Sequence, residues 1–468
     1  MTRIAAIDQG TTSTRILVVD GDGPGKVVHS ARHAQHHPQA GFVEHDPEEL
    51  IAHIRECVAA AGTLDALGID NQGESCLAWD SETGEALSPV IVWQDARTQS
   101  AIERLKREGA EALTLEHAGL PLDPYFSASK LRWLIDNNAR VKDALKRGRL
   151  RLGTTDAFFL QRLTGRCATD VTTASRTSLM NLQTGAWDEE LCRLFGVPVE
   201  TLPEIRPTVS DFGAIAGIQV TASLVDQQAA LYGHGCRKAG DIKITFGTGA
   251  FVLAVTGGDI LRAPERGLLP TVAWQIGEER HYAVDGGVYN AGSAVEWAER
   301  IGLLHDLAEL AQFTQAPAIA RGLAFVPALS GLAAPHWDRR AAGLFIGMGL
   351  ETGRLDLLQA MLEGVALRTA EVVAAMAASV KLSPRISIDG GLTRSAYFRQ
   401  FLADCLGKSL TLPANDELTA YGTAALAARG IGLTLPLSPV AEAITPRTDA
   451  SAWRTRFTDA VSRAKGWR

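Results

Sequence analysis

Asp8-Gln-Gly-Thr-Thr-Ser-Thr14 places one carboxylate, one glycine and four hydroxyls within seven residues, with Arg15 next in line. A polar corner of this kind can approach a phosphate with backbone N–H and hydroxyl donors, while Asp8 can reach a divalent cation. The same residues also make an ordinary polar β-turn, and on this stretch alone both readings stand. Phe246-Gly-Thr-Gly249 is a second glycine-and-hydroxyl corner far down the chain. Asp226-Gln227-Gln228 sets a carboxylate at the start of a helical pattern. A helix cap is the simple reading of Asp226. A general base is the chemical one, since the backbone is fixed and two amides stand ready to orient a substrate. Asp389-Gly390-Gly391 ends another apolar run, and its glycine pair permits close approach of a flat or charged ligand.

The elements that must carry these residues are strands and helices in alternation. Ile4–Ile7 and Ile16–Val19 flank the first corner and predict a hairpin. Ile242–Phe246 and Ala250–Val255 flank the second in the same way, which predicts an internal duplication of two similar α/β domains. Asp46-Pro47-Glu48-Glu49 is a helix start, with Asp as cap and Pro in the first turn, and the helix runs to about Ala61. Leu64–Asn71 and Val90–Trp93 read as strands that end in polar residues, Gln72-Gly73-Glu74 and Gln94-Asp95. Ligands of open α/β sheets gather at such strand ends. Helices are expected around 98–110, 127–137 and 355–378. The run Thr169–Arg176 reads as an ordered, structural loop.

Size and composition narrow the class. A chain of 468 residues predicts two or three domains. Net charge is -7 with no dense Lys/Arg run, which argues against nucleic acid or an anionic membrane as partner. The six cysteines are scattered without a CxxC pair and read as reduced, buried thiols of a cytoplasmic protein. A charged residue and a strand at the start predict no secretory signal. No apolar run approaches the length of a membrane span. His33, His36, His37 and His45 invite a metal reading, but Pro38 follows at once and no carboxylate lies between His33 and His37, so that reading is not favoured. Gly25-Lys26 is followed by Val27, so this is not a P-loop.

The three glycine-bearing strand ends, Asp8–Thr14, Gly247–Gly249 and Asp389–Gly391, resemble in their order the phosphate and adenosine elements of two-lobed actin-like ATP-binding proteins. Tyr125-Phe-Ser-Ala-Ser-Lys130-Leu-Arg-Trp133 and Gly343-Leu-Phe-Ile-Gly347, the latter followed by Asp356–Glu363, resemble the two signatures of the FGGY carbohydrate kinases. Within that family the chain is most similar to the glycerol kinase subgroup, through Asp8–Arg15, Glu44–Pro47, Asp123–Ser127, Ala174–Thr177 and Asp226–Leu231. The resemblance implies an α/β fold of two actin-like (ribonuclease H-like) domains flanking a cleft. Residues 1–237 would form the polyol- or sugar-binding domain, 238–433 the ATP-binding domain, and 434–468 a helical tail packing on the body.

It further implies ATP and Mg²⁺ as cofactors, a small polyol or sugar as the other partner, and phosphoryl transfer to one of its hydroxyls. Asp226 matches the catalytic base. Gly73, Glu74, Trp93, Tyr125, Gln227 and Phe251 match the acceptor pocket. Thr11, Thr12, Ser13, Arg15, Thr248, Gly292 and Gly391 match nucleotide contacts, as do Glu296 and Ser395 in place of the subgroup's Gln and Asn. Asp8 and Asp226 are expected near Mg²⁺. One departure bears on the substrate: the subgroup has an Arg immediately before the pocket Glu, and here that position is Gly73. A lost charged donor typically costs about 1.5–3 kcal/mol, and Gly73 is expected to empty a volume that a longer polyol or ketose could fill. The competing reading is a non-catalytic actin-like nucleotide-binding regulator, which would have no reason to keep the acceptor-pocket residues. The oligomeric state is left open, a homodimer among the options.

Overall fold

The computed structural model describes residues 2–311 and 313–468. Its two large sheets repeat one strand order. In the first, Lys26–Arg32, Ser13–Asp20 and Arg3–Gln9 run antiparallel, then Ala66–Asn71 and Ile218–Val225 follow in parallel, with Ala214–Ile215 at the edge. In the second, Glu279–Val288, Ala250–Gly257 and Ile242–Phe246 run antiparallel, then Arg385–Gly390 and Ser409–Pro413 follow in parallel. Hairpin, third strand and two crossover strands thus occur twice, as the paired glycine corners predict. Leu269–Ile276 and Val440–Ile444 close the edges of the second sheet. A smaller sheet of Glu44–His45, Val90–Ile91, Cys76–Asp80 and Leu150–Thr154 is inserted in the first half.

The local signals explain most elements. Asp46 accepts from the Glu48 N–H and opens the helix Pro47–Ala61. The helix Ser127–Asn137 occupies the expected span, and Arg354–Ala377 buries nearly its whole length from Leu358 to Met376. The region 98–110 holds a shorter helix, Gln99–Arg107, followed by a second, Glu111–His117. Two expectations need correction. The run Thr169–Arg176 is not a loop: it holds the strand Ala168–Asp170 and the short helix Val171–Ala174, capped by the Asp170 carboxylate on the N–H groups of Thr172 and Thr173. The tail is not purely helical either. Val440–Ile444 pairs with Ser409–Pro413, and Ser451–Ala464 buries Phe457 and Val461 in the core of the second sheet.

The helix Leu418–Gly430 lies late in the sequence yet packs on the first sheet and against the helix Asp226–Gly233. The backbones meet directly. A Cβ at Gly422 would stand 1.9 Å from the Ala229 carbonyl oxygen, and one at Gly233 would stand 2.0 Å from that of Leu418. Only glycine permits that approach. Around this pair lies a single apolar cluster drawing Ile4, Leu17 and Leu224 from the first sheet and Leu253, Ala273 and Ala283 from the second. Among the described residues no helix is long and apolar enough to cross a membrane.

Candidate active site

Three neighbouring parallel strands end in carboxylates. Asp8 and Asp70 are register partners, and Asp226 follows Val225, the partner of Asn71. Burial, together with the nearby Asp8 and Glu74 carboxylates, pushes the Asp226 carboxyl up to about 7, against the Gln227 N–H and Lys243. Asp70 is fully buried and raised well above the ordinary carboxylate range, by burial first and by Asp8 second. The Thr423 hydroxyl donates to Asp70 Oδ2 at 2.7 Å, while Asp70 Oδ1 has no partner among the described residues.

Asp226 sits in a cavity of about 170 Å³ whose walls include Thr11, Gly73, Glu74, Trp93, Tyr125, Gln227, Thr248 and Phe251. All of the expected acceptor and base residues therefore share one space with members of both glycine corners. Glu74 is held in an unusual conformation: its φ is 61°, in a three-residue turn closed by the Ser75 N–H on the Gly73 carbonyl at 2.8 Å. Such backbone is costly for a non-glycine residue and is kept where a side chain must be aimed. The helix Ser127–Asn137 supports this wall. Ser127 Oγ donates to the Glu74 carbonyl at 2.9 Å, and the fully buried Lys130 donates to the Trp93 and Tyr125 carbonyls at 3.2 and 3.0 Å. Trp93 Nε1 donates to Thr11 Oγ1 at 3.1 Å, tying the acceptor wall to the first corner.

The corners themselves are tightly built. Gly10 N–H closes the first on the Ser13 carbonyl at 3.0 Å, and His33 reaches the Thr11 carbonyl at 3.0 Å. His33 thus braces the turn, and among the described residues no group of three or more His, Cys, Asp or Glu side chains could hold a metal ion. Arg15 Nε donates to Asp8 Oδ2 at 2.9 Å, and its Nη1 pairs with Glu417 at 2.9 Å. The second corner is locked by the helix Gly292–Arg300. Gly292 N–H donates to the Gly247 carbonyl at 2.9 Å, and Ala291 and Ser293 N–H both donate to that of Thr248 at 3.0 Å. A Cβ at Gly292 would stand 2.5 Å from the Gly247 oxygen, so glycine is required there.

The remaining expected nucleotide residues lie outside this cavity. Thr12, Glu296 and Gly391 are exposed and Ser13 is half-buried. Ser395 caps the helix Ala396–Leu406 by accepting from the Phe398 N–H, and donates to the Leu310 carbonyl. Gly73 lines the cavity beside Val225: a Cβ at that position would stand 3.0 Å from Val225 Cγ1.

Three buried ionisable residues of the site, Arg176, Asp285 and Lys243, are not among those the sequence marks as site residues. Arg176 Nε donates to Glu74 Oε1 at 2.6 Å, and its Nη2 donates to Asp285 Oδ2 at 3.2 Å. Burial disfavours the Arg176 charge, but Glu74 and Asp285 more than offset it and hold its pKa above the usual arginine value. Lys243, wholly buried, donates to Gln227 Oε1 at 2.6 Å and to Thr245 Oγ1 at 3.0 Å. A signal for Lys243 exists in the sequence: a lysine inside the apolar strand Ile242–Phe246 needs a buried partner. Arg176, in its small, polar run, gives no such signal.

The model of the N-terminal domain of the FGGY family of carbohydrate kinases matches residues 3–233, and that of the C-terminal domain matches residues 242–431. The glycerol kinase of Thermus brockianus is 42% identical over 494 aligned positions, covering 100% of this chain and 99% of the relative. The structure of Plasmodium falciparum glycerol kinase with ADP superposes with a TM-score of 0.89 at 29% identity, covering 99% of this chain and 98% of that one. A ligand-bound xylulose kinase from Lactobacillus acidophilus also gives 0.89, at 22% identity, over 100% of this chain and 99% of that one, a likeness of fold.

Proposed function

We propose that this chain, which belongs to the FGGY family of carbohydrate kinases, transfers the terminal phosphoryl group of ATP to a hydroxyl of glycerol or a related polyol or ketose, with Asp226 as general base. The observation that carries the reading is the shared cavity. The Asp226 carboxylate, the acceptor-type wall of Glu74, Trp93, Tyr125 and Gln227, and Thr11 and Thr248 of the two glycine corners all face one space. A nucleotide-binding regulator has no use for a buried acceptor pocket aligned on a carboxylate.

The acceptor lies against Trp93, Tyr125 and Phe251, which pack its carbon chain, while Glu74 and Gln227 take hydroxyl hydrogen bonds. Asp226 accepts the proton of the attacking hydroxyl as its oxygen bonds to the transferred phosphorus and ADP departs with the former bridging oxygen. A carboxyl held near 7 is matched to that exchange at neutral pH. The glycine corners offer N–H and hydroxyl donors to the phosphates. Asp8, with Asp226 beside it, would hold Mg²⁺ directly or through water. The surplus of carboxylates at these strand ends, with Asp70 Oδ1 unpartnered, fits a cation that keeps most of its waters and uses one or two carboxylates. Bound with ATP, Mg²⁺ neutralises phosphate charge. Enclosure of the acceptor keeps water from competing for the phosphoryl group. The six cysteines are free thiols, five of them buried, which supports a reducing, cytoplasmic setting.

The test is Asp226→Asn, assayed by ADP release and by ADP titration. Transfer should fall by roughly 100-fold or more while ADP still binds. Near-normal turnover in this variant would remove Asp226 from the role of base.

A further inference from the structure

Glu74, Arg176 and Asp285 form a buried chain of carboxylate, guanidinium and carboxylate, with relative exposures of 4%, 4% and 9%. The chain is not saturated. Among the described residues Arg176 Nη1 and Asp285 Oδ1 have no hydrogen-bond partner. Buried polar atoms are nearly always paired, so two unpaired atoms on residues that are themselves paired, each with almost no surface of its own, call for an explanation. Both residues line the 170 Å³ cavity around Asp226 and also the adjoining chamber of about 340 Å³. They therefore stand where the inner space opens into the outer one.

The chemistry of the two atoms selects a ligand group. A hydroxyl that reaches these atoms can accept from Nη1 or donate to Oδ1. An alkyl group satisfies neither. An anionic group would meet the Glu74 and Asp285 carboxylates on either side of the guanidinium. Position 73 offers no competing side-chain donor, because it is glycine. The cation that reads the acceptor thus comes from Arg176, at the outer end of the cavity.

We propose that Arg176 and Asp285 form a distal hydroxyl subsite, and that the enzyme prefers acceptors bearing a hydroxylated fourth or fifth carbon over glycerol. This rests on the kinase reading above. The outer chamber gives such an acceptor room to extend, between Trp93 and Tyr125 on one side and Tyr289 and Trp337 on the other.

The experiment is a coupled ADP-release series with glycerol, erythritol, threitol, xylitol, ribitol, xylulose and ribulose, on the wild type and on Asp285→Asn. At least one four- or five-carbon acceptor should exceed glycerol tenfold or more in kcat/KM. In Asp285→Asn that ratio should fall at least tenfold, mainly through KM. ADP titration and a melting curve check that the variant is folded, and if it is not, the wild-type series decides by itself. Glycerol outperforming every longer acceptor would overturn the subsite alone, as would an unchanged ratio in the folded variant. No turnover with any acceptor, in protein that binds ADP, would overturn the kinase reading and the subsite together.

Discussion

Lys243 Nζ reaches Gln227 Oε1 at 2.6 Å, from the second sheet to the helix that begins at Asp226. A wholly buried ammonium beside the helix of the proposed base does two things. It fixes the Gln227 amide, and its charge helps hold Asp226 ionised. Burial lowers the Lys243 pKa, while Asp389, Asp226 and Asp285 support its charge.

Lys243→Met should therefore lower turnover at pH 7 by roughly fivefold, the effect of one pKa unit on a carboxyl held at about 7. The sign follows from the charge removed. Without the cation the Asp226 pKa rises, so the acid limb of the kcat profile moves to higher pH. A pH series on both proteins checks this. An unmoved limb with reduced turnover would leave Lys243 a purely structural role.

Gly73 and Val225 act as a pair. Gly73→Arg alone brings a Cβ to 3.0 Å from Val225 Cγ1, so the valine must give way, and overpacking of this kind costs about 1–3 kcal/mol. Gly73→Arg with Val225→Ala removes the obstacle and adds a charged donor beside Glu74. The double variant should gain roughly ten- to a hundredfold in glycerol affinity relative to the wild type, and the single one less. Glycerol titrations and melting curves on both separate the two effects.

The hydrogen bond from Thr423 to Asp70 is buried at both ends, at 0% exposure each. Thr423→Val leaves the carboxyl with neither oxygen paired and should cost about 1–3 kcal/mol. Urea unfolding would show the loss as a lower midpoint with an unchanged slope.

Burial pushes the carboxyls of Asp170 and Glu363 up to about 7. A carboxyl whose folded pKa is raised holds its proton longer in the native state. Its stabilising contribution is full below about 4 and is lost as pH rises through about 7. The melting temperature of the apoprotein should fall between pH 5 and pH 8, with a few kcal/mol at stake since each pKa unit is about 1.4 kcal/mol. Asp170→Asn should show a shallower slope over the same range.

Much of this site is legible along the chain because its residues sit in short runs with strong local chemistry. Asp8–Thr14, Gly247–Gly249 and Asp226 each end a strand, and strand ends are where α/β sheets place ligands. The doubled strand order follows from the doubled corners. Arg176 stays hidden because its meaning depends on Glu74, 102 positions before it, and on Asp285, 109 positions after it. Nothing local marks a residue whose partners are both distant. Gly73 is visible as a lost donor, but the methyl groups that wall it belong to Val225 on another strand. Ser395, in a nucleotide-type position, also caps its own helix, a role that the sequence reading does not mark.

The meeting of Gly233 with Leu418, and of Gly422 with Ala229, has a mechanical consequence. Two backbones in direct contact leave no room for a side chain between them. A single methyl at Gly422 or Gly233 would force the two helices apart and loosen the packing of Leu418–Gly430 on the first sheet.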